Sequence, residues 1–150
     1  MKKTYYNWNQ IEKACIELHR QIYFDSFIPE YVVGVTRGGL IPAVMLSQFL
    51  NVKMDVINIS LLDDSTDNHI KESLITTTKN ILIVDDINDT GDTLSAIASE
   101  LNVNQKTNIK FATIVNNEAS KFTVNYSVFD INKSETPEWI VYPWEEFWLQ

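Results

Sequence analysis

The chain has 150 residues, of which 45% are hydrophobic and 21% charged, and its formal net charge is -8 at pH 7. This length favours one domain, residues 1–150, with a single substantial core. The acidic balance argues against a general binder of nucleic acid or of membrane surfaces. Cys15 is the only cysteine, which excludes an intrachain disulfide and fits a cytoplasmic location. No apolar run approaches the roughly 20 residues that span a bilayer, and the N-terminus lacks the apolar stretch of a secretory signal.

The first half of the chain alternates predicted helices and strands. Apolar residues spaced three and four apart predict a first helix capped by Asn7. These residues are Trp8, Ile11, Cys15, Leu18 and Ile22. A β-branched strand is predicted over 31–36, a helix over 40–50 and a second strand over 54–59. The polar segment 61–78 is typical of a mobile loop or lid.

The second half continues the alternation. A third strand over 81–84 leads to a helix with an apolar face, and further strands are predicted over 109–115 and 126–129. The helix face consists of Leu94, Ile97, Ala98 and Leu101. Alternating strands and helices predict an α/β fold with a mostly parallel twisted sheet and flanking helices. Because ligands of such sheets bind beyond the carboxyl ends of the strands, the turns at 36–39 and 85–93 should share one edge.

The most informative stretch is residues 81–93, where four aliphatic residues run into Asp85 and Asp86. We expect the strand to end at this acid pair, which can accept hydrogen bonds from vicinal hydroxyls or bind Mg²⁺. An Asp-Thr-Gly-Asp-Thr turn over 89–93 then opens a helix, and small residues at a helix start suit a phosphate. The alternatives are an ordinary acidic strand end with a threonine helix cap, or a receiver domain in which Asp85 or Asp86 accepts phosphate.

A second anion site is indicated by Thr36, Arg37, Gly38 and Gly39, which follow the first predicted strand. Two glycines permit an unusual backbone, and the arginine supplies a fork of donors for a multiply charged anion. The alternative is a tight turn with a solvated arginine. Together with the 85–93 turn, this predicts a ligand that carries phosphate at both ends.

Residues 81–93 resemble the ribose-phosphate signature of the type I phosphoribosyltransferases, and residues 36–39 resemble that family's pyrophosphate loop. Within the family, the chain is similar to the bacterial xanthine–guanine (purine) branch. Further similarity lies at Trp8, in residues 35–42 and 111–114, and in the Trp-Ile-Val-Tyr-Pro-Trp tail at 139–144. The resemblance implies transfer of a phosphoribosyl group from phosphoribosyl pyrophosphate to a purine such as guanine, xanthine or hypoxanthine, with Mg²⁺ as cofactor. It also implies a lid at about 61–78 and a base-binding hood at about 131–150.

The resemblance assigns a role to each motif residue. Asp85 and Asp86 would hold the ribose hydroxyls, directly or through Mg²⁺. The 5′-phosphate would be held by Asp89, Thr90, Gly91, Asp92 and Thr93. Pyrophosphate would be held by Thr36, Arg37, Gly38 and Gly39, and the peptide bond before Arg37 is often cis in the family. Asp89 would be the proton acceptor beside the base and Arg37 would neutralise the leaving group. The base would be bound by Asn117, Trp139 and Ile140.

Two positions depart from the family pattern. A lysine that contacts the purine 6-oxo group is replaced by Asn117, with Lys121 as a substitute four residues on. Asp92 occupies a position where glycine is frequent, and an acid there is unfavourable beside phosphate unless its side chain points away. The runner-up function is a non-catalytic sensor of phosphoribosyl pyrophosphate or a nucleotide. The aromatic tail, including Trp144, Phe147 and Trp148, predicts core or subunit contacts and a homodimer or homotetramer.

Overall fold

The computed structural model describes residues 1–58, 80–101 and 108–149. The helices are α1 (Trp8–Phe24), α2 (Leu40–Leu50) and α3 (Asp92–Leu101), with a short 3-10 helix at Phe147–Leu149. The strands are β1 (Lys2–Tyr5), β2 (Tyr31–Val35), β3 (Lys53–Ile57), β4 (Asn80–Asn88), β5 (Asn108–Asn117), β6 (Tyr126–Ile131) and β7 (Glu138–Val141). None of the helices in these ranges is long and apolar enough to cross a bilayer. The predicted lid over 61–78 lies outside the described residues.

Five strands form the central sheet in the order β3-β2-β4-β5-β6, and every neighbouring pair is parallel. Alternate residues of β4 enter different cores. Leu82 and Val84 join the core beneath α1 and α2, while Ile81 and Ile83 join the core beneath α3. Both faces of the sheet are therefore covered, as continuous aliphatic strands require. The prediction of a mostly parallel α/β fold is confirmed.

The first helix begins where the sequence predicted. Asn7 and Gln10 form a reciprocal capping box, with side-chain to backbone distances of 2.9 Å in both directions. Cys15 is fully buried on the apolar face, and burial raises the pKa of its thiol to about 12. Trp8 departs from the prediction, because it is 54% exposed and lies beside Trp144, with ring centroids 6.0 Å apart. Trp8 thus packs on the C-terminal tail and not in the core beneath α1.

The third predicted strand is longer than expected. We predicted its end at the acid pair, but β4 continues through Asp85 and Asp86 to Asn88. The reason is its neighbour β5, which pairs with it from Asn80 to Asn88 and supplies backbone partners beyond the aliphatic run. Asp85 lies opposite Thr113 in this ladder. The acid pair therefore lies within β4 and not in the loop after it.

Two strands were not predicted. β1 and β7 pair in parallel, with Lys3 opposite Trp139, and so join the two ends of the chain. Four-residue strands carry almost no periodic signal, and these partners are remote in sequence. Ile140 and Tyr142 pack with Ile11 in a third core cluster, which fixes the tail against α1. The end of the tail behaves differently, since Phe147 and Trp148 are exposed and do not join the core.

Candidate functional site

The two predicted anion turns meet at the carboxyl edge of the sheet. They line a cavity of about 270 Å³ with residues from 35–38 and 85–94. The peptide bond between Thr36 and Arg37 is cis. The Thr36 hydroxyl donates to the carbonyl of Ile57 at 3.3 Å, so the turn is tied to β3. Arg37 is exposed and lines both this cavity and a larger one beside it.

Gly38 lies directly against the acid pair. A Cβ atom added to Gly38 would lie 1.9 Å from Asp86 Oδ2, so a side chain there would displace the Asp86 carboxylate, and one added to Gly39 would lie 2.4 Å from the Val84 carbonyl oxygen. Gly39 is buried and its amide donates to the Val35 carbonyl at 2.9 Å. The 36–39 turn is thus closed onto β4 with no room for a side chain between them. An anion held by the turn would lie next to groups held by the carboxylates.

Burial dominates the electrostatics of the acid pair. Asp85 is 8% exposed, and burial together with the charge of Asp86 raises its pKa well above the ordinary range. Burial and the Glu145 carboxylate raise the pKa of Asp86 to about 6, although a hydrogen bond from Asp85 opposes the change. The Asp86 amide donates to Asp85 Oδ1 at 2.9 Å. Two adjacent carboxyl groups whose pKa values are raised by burial favour a ligand that brings hydroxyl donors or positive charge.

The 89–93 turn is shaped by Gly91. Its φ of 87° lies in the left-handed region, and a Cβ atom there would be 2.7 Å from the Phe122 amide nitrogen. Thr90 is exposed and Thr93 is half-buried, and both line the cavity. Helix α3 begins at Asp92, and the residues of its first turn, Asp92 to Leu94, line this cavity. The arrangement suits a phosphate group.

The charge of Asp92 is already paired. Lys121 Nζ forms an ion pair with Asp92 Oδ1, and the Thr90 hydroxyl donates to Asp92 Oδ2 at 2.7 Å. Hydrogen bonds from Lys121 and Thr90 lower the pKa of this carboxyl. Lys121 is therefore bound to the 89–93 turn. It lines neither of the two cavities that Trp139 lines.

Trp139 separates two cavities beside the acid pair. The larger, of about 540 Å³, also contains Arg37, Trp144 and Trp148. The smaller, of about 190 Å³, contains Asp89, Ile140, Tyr142 and Lys133 among its lining residues. Trp139 is 53% exposed and lines both cavities, so it is accessible to a flat molecule. The buried Tyr142 hydroxyl donates to the Asp86 carbonyl at 2.9 Å and couples the tail to β4.

Asn117 is buried, and its amide is already hydrogen-bonded. Its Nδ2 donates to the Asp89 carbonyl at 3.0 Å, and its Oδ1 accepts from the Lys133 amide at 3.1 Å and from the Ala119 amide at 3.2 Å. Asn117 thus connects the end of β4 to the turn that follows β6. The Lys133 side chain forms an ion pair with Asp89, with Nζ 2.7 Å from Oδ2.

The family model described as "Phosphoribosyl transferase domain" matches residues 1–150. The chain belongs to this phosphoribosyltransferase family. It is 26% identical to the xanthine-guanine phosphoribosyltransferase of Idiomarina loihiensis, over 96% of the chain and 88% of that protein. The purine phosphoribosyltransferase of Pyrococcus horikoshii has a similar structure, with 32% identity, a TM-score of 0.79, and coverage of 98% of the chain and 96% of its own. The Helicobacter pylori xanthine-guanine-hypoxanthine enzyme is 26% identical, with a TM-score of 0.81 and the same coverage.

For this phosphoribosyltransferase, the sequence indicated both anion turns and the aromatic residue, and the structure brings all three to one edge of the sheet. It did not indicate Lys133. We predicted that the last strand ends at 129, whereas β6 continues to Ile131, so the turn after it reaches the same edge. The signal that could have found Lys133 is a basic residue two positions beyond the carboxyl end of a parallel strand.

Proposed function

We propose that this chain transfers the 5-phosphoribosyl group of phosphoribosyl pyrophosphate to a purine base such as guanine, xanthine or hypoxanthine. The products are a nucleoside 5′-monophosphate and pyrophosphate. The observation that carries the proposal is the contact of the Gly38 turn with Asp86, because it puts one anion site, an acid pair and the second anion turn in one cavity. A sugar with phosphate at both ends matches that order of groups.

The two turns divide the phosphates between them. Thr90, Gly91, Asp92 and Thr93 surround the 5′-phosphate with hydroxyls and the N-terminus of α3, while the paired charge of Asp92 limits its repulsion. Pyrophosphate lies on Thr36, Arg37, Gly38 and Gly39. Arg37 neutralises the charge that builds up on the leaving group as the bond to the sugar breaks.

Asp85 and Asp86 hold the ribose hydroxyls. Burial raises the pKa of both carboxyls, and hydroxyl donors or a cation would stabilise their ionised forms, which supports this assignment. The described residues contain no cluster of three metal-ligating side chains, which suits Mg²⁺ bound by one or two carboxylates together with substrate oxygens. Bound in this way, Mg²⁺ would supply charge neutralisation at the pyrophosphate.

The base lies against Trp139, with the Ile140 backbone along its edge. The exposure of Trp139 and the two cavities that it lines support this placement. Asp89 is the proton acceptor, because its carboxylate lines both the phosphate cavity and the smaller Trp139 cavity. Asn117 acts on the base indirectly, by holding the Asp89 carbonyl and the Lys133 amide in place.

The cytoplasmic location and the homodimeric or homotetrameric state remain predictions. The absence of nucleic-acid and membrane partners is likewise a prediction from the charge. Size-exclusion chromatography with light scattering tests the oligomeric state, and a monomer would contradict it.

A turnover panel tests the proposed function. Purified protein, Mg²⁺ and phosphoribosyl pyrophosphate are mixed with each common purine and pyrimidine base, and pyrophosphate release is followed. We expect release with at least one purine and with no pyrimidine. Tight binding of phosphoribosyl pyrophosphate without turnover on any base would support the sensor instead.

The role of Asp89 is tested by Asp89→Ala. Removal of a positioned proton acceptor should lower kcat by roughly 10²- to 10⁴-fold. Asp130→Ala removes an exposed acid at the end of β6 and serves as the control. Turnover of Asp89→Ala within a few-fold of the parent would rule out the proton-acceptor role.

A further inference from the structure

We infer that Lys133 is the specificity-determining residue for the base, and that its ammonium selects 6-oxopurines over 6-aminopurines. This inference rests on the proposed function, because it takes the base to lie against Trp139. It assigns a role in base recognition to the turn after β6. This turn is not part of the family's signature motifs.

The position of Lys133 supports this role. Its side chain is 19% exposed and its Nζ lies 2.7 Å from Asp89 Oδ2. Lys133 and Asp89 both line the smaller cavity, of about 190 Å³, together with Trp139 and Ile140. An ammonium has three donors and no acceptor. The bond to Asp89 uses one of them, so the remaining two are available to an acceptor in the cavity.

The chemistry of the purine edge decides which base matches these donors. At C6 a 6-oxopurine presents an oxygen acceptor, whereas a 6-aminopurine presents an amino donor. If Asp89 lies near N7, the Lys133 ammonium beside it meets the group at C6. A 6-oxo group accepts from the ammonium, whereas a 6-amino group places donor against donor.

The two residues that the sequence offered for the purine 6-position, Asn117 and Lys121, do not provide this selectivity. Both ends of the Asn117 amide are engaged with backbone, at 3.0 Å to the Asp89 carbonyl and 3.1 Å to the Lys133 amide. Lys121 is paired with Asp92 in the phosphate turn. Asn117 is therefore a positioning residue for Lys133, and the cation that faces the base comes from the turn after β6.

The test compares binding of inosine 5′-monophosphate and adenosine 5′-monophosphate by calorimetry, which does not require turnover. The two nucleotides share ribose and phosphate and differ in the group at C6 and in the proton at N1. We expect the parent protein to prefer inosine 5′-monophosphate by roughly 10- to 100-fold. Lys133→Met should reduce this preference to within about threefold, since it removes the charge and keeps the stem. Lys133→Arg should retain the preference.

Lys13→Met is the matched control, because Lys13 is an exposed lysine of α1 and lines none of the three cavities described above. In turnover, Lys133→Met should raise KM for the 6-oxopurine by roughly 10- to 100-fold and leave KM for phosphoribosyl pyrophosphate within about threefold. Lys133→Gln replaces Lys133→Met if thermal unfolding shows that the latter is misfolded.

The outcomes separate the two proposals. An equal preference in the parent, or an unchanged preference in Lys133→Met, overturns the role of Lys133 whether or not the protein turns over. A preference that depends on Lys133 in a protein without turnover overturns the proposed function and supports the role of Lys133.

Discussion

Replacing Asp86 by asparagine should stabilise the protein at neutral pH while it impairs binding of phosphoribosyl pyrophosphate. Burial raises the pKa of Asp86 from its ordinary 3.8 to about 6. A tenfold change in proton affinity is worth about 1.4 kcal/mol, so keeping Asp86 ionised in the folded protein costs about 2–3 kcal/mol. Asparagine has nearly the same shape and no charge, and therefore avoids this cost.

The sign of the pH dependence follows from proton binding. Between pH 4 and pH 6 the folded protein holds a proton on Asp86 that the unfolded chain has lost, so this group lowers stability as pH rises. Asp86→Asn should therefore gain little at pH 4 and the full amount, about 2–3 kcal/mol, above pH 7. For a chain of this size, that gain corresponds to a rise in Tm of roughly 4–12 °C.

The assay is urea unfolding of the parent and Asp86→Asn at several pH values from 4 to 8, with the difference in unfolding free energy plotted against pH. Glu12→Gln, which neutralises an exposed carboxylate of α1, should change stability by less than about 0.5 kcal/mol throughout. The kcat/KM for phosphoribosyl pyrophosphate should fall by roughly 10- to 100-fold in Asp86→Asn. A stability difference that is flat with pH, or that is destabilising at pH 7, would refute the reasoning.

Three further substitutions probe the site. Gly38→Ala places a methyl group on the Asp86 carboxylate, so we expect KM for phosphoribosyl pyrophosphate to rise at least tenfold; unchanged kinetics would show that the turn tolerates a side chain. Trp139→Ala should raise KM for the base by roughly 10- to 100-fold and leave KM for phosphoribosyl pyrophosphate nearly unchanged; equal effects on both would exclude stacking. Tyr142→Phe removes the buried hydrogen bond to the Asp86 carbonyl and should lower the unfolding free energy by about 1–2 kcal/mol in urea titrations; no loss would mean that water replaces the hydroxyl.

The sequence by itself determined the sheet and the motif. A strand of consecutive aliphatic residues, such as 81–84, exposes apolar side chains on both faces of a sheet. It therefore requires cover on both faces, which the predicted helices supply. Glycines stood in both turns, at Gly38, Gly39 and Gly91, and acids and hydroxyls stood beside them where parallel strands end. These features depend on residues that are adjacent in the chain, so they can be predicted from the sequence.

The tertiary structure decided what depends on distant partners. β4 extends past the acid pair because β5 supplies its backbone hydrogen bonds. The aliphatic pattern of β4 does not indicate how far this pairing extends. Trp139 reaches the site because β7 pairs with β1 from the other end of the chain. Lys133 meets Asp89 across 44 residues, held there by the buried amide of Asn117. Contacts of this kind result from packing between helices and strands that are distant in the chain, so they cannot be predicted from the spacing of residues.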